Sequence, residues 1–369
     1  MKKDIQQLQV ELICQNNGVH LNGISRYTRE LHKHLAPLVS VRRVEHIYPS
    51  LASHINPLRY FPIGVRPHRN GSIVHFTEDF GCSQMLWHPI RPAIATSHDL
   101  GFLAWAPEAS MHRALDRILL YLSYLGLKRM DAVITVSEYS RQTIIQRLGI
   151  PAERVFTIYS GNDSNHFRPI AHARTKLAER YGFPEDSQKQ ILLYVGTEFP
   201  RKNLASILRI LKLLPSNIDL LKVGDPGGER FRVQTKKMIA ELELEGRVHF
   251  FDKVPDEDLP IFYNAADAYV CASFIEGFGF PILEAMACGT PVVCSNVASL
   301  PELTAGVAIL VSPDDIQAFT EAVQSVLCDP ALRDEMSTRG RKQAASFSWE
   351  QTASKVAEVY QLVAKNTLI

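Results

Sequence analysis

Residues 273–293, Ser-Phe-Ile-Glu-Gly-Phe-Gly-Phe-Pro-Ile-Leu-Glu-Ala-Met-Ala-Cys-Gly-Thr-Pro-Val-Val, concentrate more chemistry than any other stretch of the chain. Two glutamates, Glu276 and Glu284, stand with seven residues between them. Gly277 and Gly279 carry no side chain to keep a ligand off the backbone, and Pro281 fixes the φ of a first helical turn. A helix that starts there turns backbone N–H groups outward and forms an anion site. Glu284 is expected in the first turn of that helix, where its carboxylate tolerates the positive dipole end and can accept hydrogen bonds from a diol. Two carboxylates flanking an anion-binding turn would repel a bare phosphate, so the ligand must also carry hydroxyls. A nucleotide diphosphate, with its ribose, meets both demands. The plainer reading, glycines that merely turn the chain into a helix, remains open on the glycines alone.

Three other clusters could take part. Arg201-Lys202 follows the strand-like run Ile191–Val195 and Gly196, a fork and a point charge suited to a pyrophosphate. His98-Asp99 follows the short apolar run Ala93–Thr96; the carboxyl ends of parallel strands are where α/β sheets bind ligands. Gly23 lies in a glycine-containing turn between the strand-like Gln9–Cys14 and a helical pattern, with no G-x-G-x-x-G fingerprint. Asp256-Glu257-Asp258 spells a metal-binding D-x-D, but an amphipathic run, Leu259–Asp267, follows it directly. Asp256 is therefore expected to cap that helix, with Glu257 and Asp258 in its first turn, and no metal site is expected.

The elements needed to position these groups are legible as alternating strands and helices. Further strands are expected at Val41–Ile47, Ser72–Phe76, Ala132–Val136, Val155–Tyr159, Leu220–Asp225, Val248–Phe251 and Pro291–Cys294. Ser137–Ser140 is expected to cap a helix beginning near Arg141. A length of 369 residues implies two domains. Forty basic against 39 acidic residues leave no net field to favour nucleic acid. Met1–Gln9 is polar where a secretory leader needs an apolar run, so a cytoplasmic location is expected. The six cysteines form no zinc-spaced group and are expected to be buried thiols. Residues 111–130 are apolar on one face and carry Arg113, Arg117, Lys128 and Arg129. They read as a core-facing helix or, alternatively, as a basic helix resting on anionic lipid.

The stretch 273–293 resembles the E-x7-E signature of the retaining glycosyltransferases of family 4, the group 1 glycosyl transferases, which have the GT-B fold. The resemblance implies that Glu276 lies near the donor sugar and Glu284 binds the ribose, with Gly277, Phe278, Gly279, Ile282 and Leu283 in the nucleotide-sugar site. Arg201-Lys202-Asn203 matches the family's diphosphate clamp. Gly-Ile-Ser-Arg-Tyr at 23–27 resembles its N-terminal glycine loop, a role that falls to Gly23 and more weakly to Arg26. His98-Asp99-Leu100 with Pro107-Glu108 is similar to the family pattern in which the histidine contacts the donor sugar; Asp99 would orient it or assist the acceptor. Ser137 is a further candidate. Asn162, where the family usually has valine, and Ala305-Gly306-Val307, where it often has Gly-Asp-Ala, depart from the pattern.

The implied architecture is α/β, two Rossmann-like domains facing a cleft. Residues 1–172 would take the acceptor, 173–345 the nucleotide sugar, and 346–369 would form a last helix returning to the first domain. The implied reaction is retaining transfer of a mannose- or glucose-type sugar from a GDP- or UDP-sugar to a saccharide or lipid-linked acceptor, without a metal or other cofactor, in bacterial surface polysaccharide assembly. Two other classes stay open: an epimerase of the same fold, acting on a nucleotide sugar without an acceptor, and a non-catalytic sugar-nucleotide sensor.

Overall fold

The computed structural model describes residues 5–15, 23–46, 71–99, 114–185 and 189–366. Leu100, Pro107, Glu108 and residues 111–113, which figure in the expectations above, lie outside them. The chain forms two compact units, Met1–Gly161 with Ser348–Ile369, and Asn162–Phe347.

The first unit is built on six strands, β1 (Gln9–Gln15), β2 (Ser40–His46), β3 (Ile73–Phe76), β4 (Ala93–Ser97), β5 (Ala132–Thr135) and β6 (Val155–Thr157). They pair in parallel in the order β2-β1-β3-β4-β5-β6. Strands β3, β4 and β5 are buried at every position, which is why they read as continuous apolar runs rather than alternations. Helices α1 (Gly23–Leu35), α2 (Ala114–Leu127) and α3 (Glu138–Leu148) accompany the sheet. Helix α3 starts three residues earlier than expected because Ser137 is itself the N-cap, accepting from Ser140 N at 3.1 Å. Helix α2 crosses the 3₁₀ segment Asp79–Leu86 so closely that a Cβ on Gly126 would stand 1.8 Å from the Cys82 carbonyl oxygen.

The second unit has strands β7 (Gln190–Val195), β8 (Ile218–Val223), β9 (Val248–Phe251), β10 (Ala268–Cys271), β11 (Val292–Ser295) and β12 (Ile309–Val311), parallel in the order β12-β11-β10-β7-β8-β9. Its helices are α4 (Ala173–Tyr181), α5 (Leu204–Leu213), α6 (Glu229–Glu241), α7 (Leu259–Ala265), α8 (Phe280–Cys288), α9 (Leu300–Thr304), α10 (Ile316–Cys328) and α11 (Pro330–Ala344). Strand order reverses between β7 and β10, which are neighbours. Two features differ from the sequence reading. Residues 162–172 belong with this unit rather than the first: Ile170 N donates to Asn264 Oδ1 at 2.9 Å, and a His166 ring nitrogen lies 2.8 Å from the Asp256 carbonyl oxygen. Asp256–Asp258 forms a separate 3₁₀ turn before α7, and Asp258 makes no cap bond. Its carboxylate is taken instead by Arg180 and by Tyr181 Oη, the latter at 2.8 Å.

The last helix, α12 (Trp349–Asn366), packs in the first unit. Trp349 meets the edge of Tyr27, Thr352 Oγ1 donates to the Tyr159 carbonyl at 2.8 Å, and Tyr360 Oη lies 2.6 Å from His75 Nδ1. Five of the six cysteines are buried thiols; Cys328 is exposed, contrary to the expectation for all six.

Candidate active site

Because β7 and β10 are neighbours at the reversal of strand order, the loops leaving their carboxyl ends run side by side. The β7 loop carries a 3₁₀ turn, Pro200–Lys202, and the β10 loop carries Glu276. Asn203 joins them. In the left-handed conformation at φ 52°, it caps α5 through Ser206 N while its Nδ2 donates to the Ala272 carbonyl at 2.9 Å and the Pro313 carbonyl at 3.2 Å. Phe274 N adds a bond to the Arg201 carbonyl at 2.9 Å.

These ties bring Lys202 onto Glu276. Lys202 Nζ lies 2.7 and 2.8 Å from the two carboxylate oxygens, and Ser273 Oγ donates to Oε1 at 2.7 Å. Burial pushes the Glu276 carboxyl up, but Lys202, Arg201 and the donated bonds outweigh it and hold it below the usual carboxylate range. Glu276 is thus an oriented anion. Ser299 Oγ fixes the glycine loop by donating to the carbonyls of Glu276 at 3.0 Å and Phe278 at 3.1 Å. Arg201 stands in the same turn as Lys202, and among the described residues its guanidinium makes no hydrogen bond or ion pair.

Gly279 is the N-cap of α8 at φ 102°, where a Cβ would press on Leu300 and Leu303 at 3.0 Å. Helix α8 therefore begins at Phe280, with Pro281 in its first turn. Glu284, expected in the first turn, is the fifth residue of the helix and lies just past that turn, buried, with Tyr263 Oη donating to its Oε2 at 2.7 Å. The amides of Ile282 and Leu283 bond the Gly279 carbonyl, so an anion at this terminus draws on the loop amides before them. The side chains of Ile282 and Leu283 lie in the core, and Phe278 is buried against Phe280 and Phe347.

In the first unit, His98 and Asp99 follow the end of β4. His98 Nε2 lies 2.9 Å from the Thr77 carbonyl oxygen, and the ring meets Tyr27 edge-on at 4.8 Å. A carbonyl can only accept, so Nε2 carries the proton and the neutral ring keeps Nδ1 as an acceptor. Burial lowers the His98 pKa, although Thr77 and Asp99 act to raise it. Beside it, Ser97 Oγ donates to Asp79 Oδ2 at 3.0 Å, while Asp79 Oδ1 is buried without a partner among the described residues. Burial drives the Asp79 carboxyl well above its ordinary value; Ser97 opposes this, and Asp99 and Glu78 add to it. Gly23 is the exposed first residue of α1, with Arg26 half-buried in the first turn. Ser137 is spent on its cap.

The sequence reading missed Asp79, Ser273, Ser299 and Tyr263. Asp79 and Ser273 carried a usable signal, a polar residue within a few positions of a strand's carboxyl end; Ser299 and Tyr263 reach the site only through tertiary packing. Among the described residues no group of His, Cys, Asp and Glu side chains could hold a metal ion.

Two parallel sheets of this order, each with its own helices, together with a basic turn and a paired glutamate at the reversal of the second, define the two-domain GT-B class of glycosyltransferases. Residues 21–166 match the model described as Glycosyltransferase Family 4, and residues 176–343 match Glycosyl transferases group 1. The chain is 31% identical to O-antigen chain mannosyltransferase B of Escherichia coli, over 93% of this chain and 97% of that one. It is 28% identical to a GDP-mannose-dependent alpha-(1-6)-phosphatidylinositol monomannoside mannosyltransferase of Mycolicibacterium smegmatis, over 62% of each chain. Among solved structures, sucrose-phosphate synthase from Thermosynechococcus elongatus superposes with a TM-score of 0.80 at 26% identity, covering 97% of this chain and 99% of that one. Anabaena HepE in complex with UDP and glucose superposes at 0.75, with 18% identity and coverage of 96% and 99%. The chain belongs to glycosyltransferase family 4, and it is a hexosyltransferase.

Proposed function

We propose that the protein transfers a hexose, with retention of configuration, from a nucleotide diphosphate sugar to a saccharide or lipid-linked saccharide in surface polysaccharide synthesis. The observation that carries this reading is the turn at 201–202, where Lys202 is locked on Glu276 and the Arg201 guanidinium stands beside them uncommitted among the described residues. Arg201 and the loop amides at 277–280 take the diphosphate; Lys202 holds Glu276 as an anion that orients the sugar hydroxyls. Glu284, steadied by Tyr263, accepts from the ribose diol. His98, neutral and with Nδ1 as an acceptor, receives a sugar hydroxyl rather than a phosphate. The names of the relatives favour GDP-mannose as donor and an O-antigen type of acceptor; the HepE complexes keep UDP-sugars in contention.

Thermal-shift measurements with GDP, UDP, ADP and their sugars test the donor, since a ligand that binds only the folded state raises the melting temperature. A shift with GDP-mannose, and mannosyl transfer to a saccharide primer, is the expected outcome. Consumption of the nucleotide sugar without an acceptor would instead favour the epimerase, and binding without turnover the sensor.

A further inference from the structure

The ends of β7, β8 and β9 are joined by a buried charge network that lies apart from the residues described above. Glu198, in the loop after β7, and Lys222, in β8, both have side chains with 0% exposure, and Lys222 Nζ lies 3.2 Å from Glu198 Oε1. Lys222 also donates to the Gly224 carbonyl, just past its own strand. Arg232 on α6 grips Glu198 Oε1 through Nε at 2.9 Å and a terminal nitrogen at 2.7 Å, and it holds Asp252, next after β9, at 2.6 and 3.0 Å. Its guanidinium lies 4.1 Å from the centre of the Phe250 ring. Two cations and two anions cancel. Glu198 Oε2 is nevertheless buried with no hydrogen-bond partner among the described residues.

Stability alone does not account for such a cluster, because well-packed apolar residues in place of a buried ion pair are often as stable or more so. Its position suggests a different role. Glu198 precedes Arg201 by three residues, and its backbone N–H bonds the Pro226 carbonyl at 3.0 Å. Phe199 packs edge-on against Phe231 and leaves no room at Gly227, where a Cβ would stand 2.8 Å from its ring. The turn at 200–202 therefore hangs between two anchors, Glu198 on one side and Asn203 on the other.

We propose that Lys222 and Arg232 are positioning residues: acting through Glu198, they hold the turn that presents Arg201 and the Lys202–Glu276 pair to the donor diphosphate. The inference rests on the reading of Arg201 and Lys202 as the diphosphate clamp. It also explains why β8, Ile-Asp-Leu-Leu-Lys-Val, carries a lysine at a position with no access to water.

The test uses the full chain with four variants: Arg201→Ala, Lys222→Met, Glu198→Gln combined with Lys222→Met, and that double variant with Arg201→Ala added. The double variant removes one charge of each sign, preserves shape and leaves Arg232 on Asp252, so it keeps its fold even if Lys222→Met alone does not. The double variant is expected to raise the donor KM about tenfold while kcat stays within about threefold and the melting temperature within a few degrees. Adding Arg201→Ala to it should cost no more than Arg201→Ala alone, because both disable one contact. A double variant with wild-type donor KM, while Arg201→Ala raises that KM, overturns the positioning role and leaves the clamp intact. An unchanged KM in Arg201→Ala sinks the clamp reading and this inference with it.

Discussion

Glu276 keeps its charge in a site that is nearly closed to water, and that makes the Lys202 pair sensitive to substitution. The two side chains are 10% and 16% exposed. Lys202→Met leaves the carboxylate buried without its cation and should destabilise the fold by about 3–5 kcal/mol, read by denaturant unfolding. Glu276→Gln keeps the shape and the Ser273 contact and should retain some transfer activity. It also tests the charge through pH. The folded pKa lies below the ordinary 4.5, so the group's contribution is complete above 4.5 and is lost as pH falls through the lower folded value. Melting temperatures at pH 7 and pH 4 should therefore drop less in Glu276→Gln than in the wild type; equal drops would mean that the carboxylate is not held down. For Glu284 the discriminating pair is Glu284→Ala, expected to weaken donor binding by about 2–4 kcal/mol, and Tyr263→Phe, which should cost stability but far less affinity.

At the scale of elements, the return of α12 to the first sheet is held by groups that fail in acid. His75 on β3 is fully buried between Tyr360 Oη and Thr96 Oγ1, and burial with help from His98 lowers its pKa to about 3. The unfolded chain takes up a proton near 6.5 that the folded chain refuses until about 3, so stability falls as pH drops through that window. His75→Gln should flatten the decline of melting temperature between pH 7.5 and pH 5. Gly161→Ala tests the same docking without charge: its Cβ would stand 2.2 Å from Trp349 N, and the clash with backbone should cost about 1–3 kcal/mol. Helix α2 exposes Ile118 and Tyr121, and Arg129 at its end bonds the Met85 and Leu86 carbonyls beside exposed Trp87. If this surface rests on anionic lipid, vesicles containing acidic headgroups should sediment the protein at low salt and release it at high salt. No helix among the described residues is long and apolar enough to cross a membrane.

What the sequence disclosed follows the same division. Strands such as Ala132–Thr135 were legible because burial on both faces writes an unbroken apolar run, and the glycine loop because Gly277, Gly279 and Pro281 are punctuation. Strands β10 and β12 were missed, although β10 is as short, apolar and buried as Ala132–Thr135; both are fixed as strands by pairing with β11. The offset of Glu284 and the capture of Lys202 by Glu276 depend on a strand order that no local pattern encodes.

For the whole molecule, the proposed reading turns on how negative charge on a leaving diphosphate is met. Lys202 is neutralised by Glu276, so the positive charge left in the second unit's site is Arg201 together with the amides ahead of α8. The D-x-D carboxylate of Asp258 is held by Arg180 and Tyr181, which leaves it poorly placed to take up a metal ion for this purpose. Transfer is therefore expected to persist in excess EDTA. The stereochemical course rests on the resemblance to the retaining enzymes of family 4, which implies that the acceptor enters on the face the diphosphate leaves, with Glu276, held by Lys202 and Ser273, orienting the sugar in the proposed reading. The new linkage should then keep the donor's anomeric configuration. NMR of the product linkage, with parallel assays in EDTA and in added magnesium or manganese, decides both halves. An inverted anomer would refute the proposed course of transfer, and activity abolished by EDTA and restored by either ion would refute the all-protein clamp.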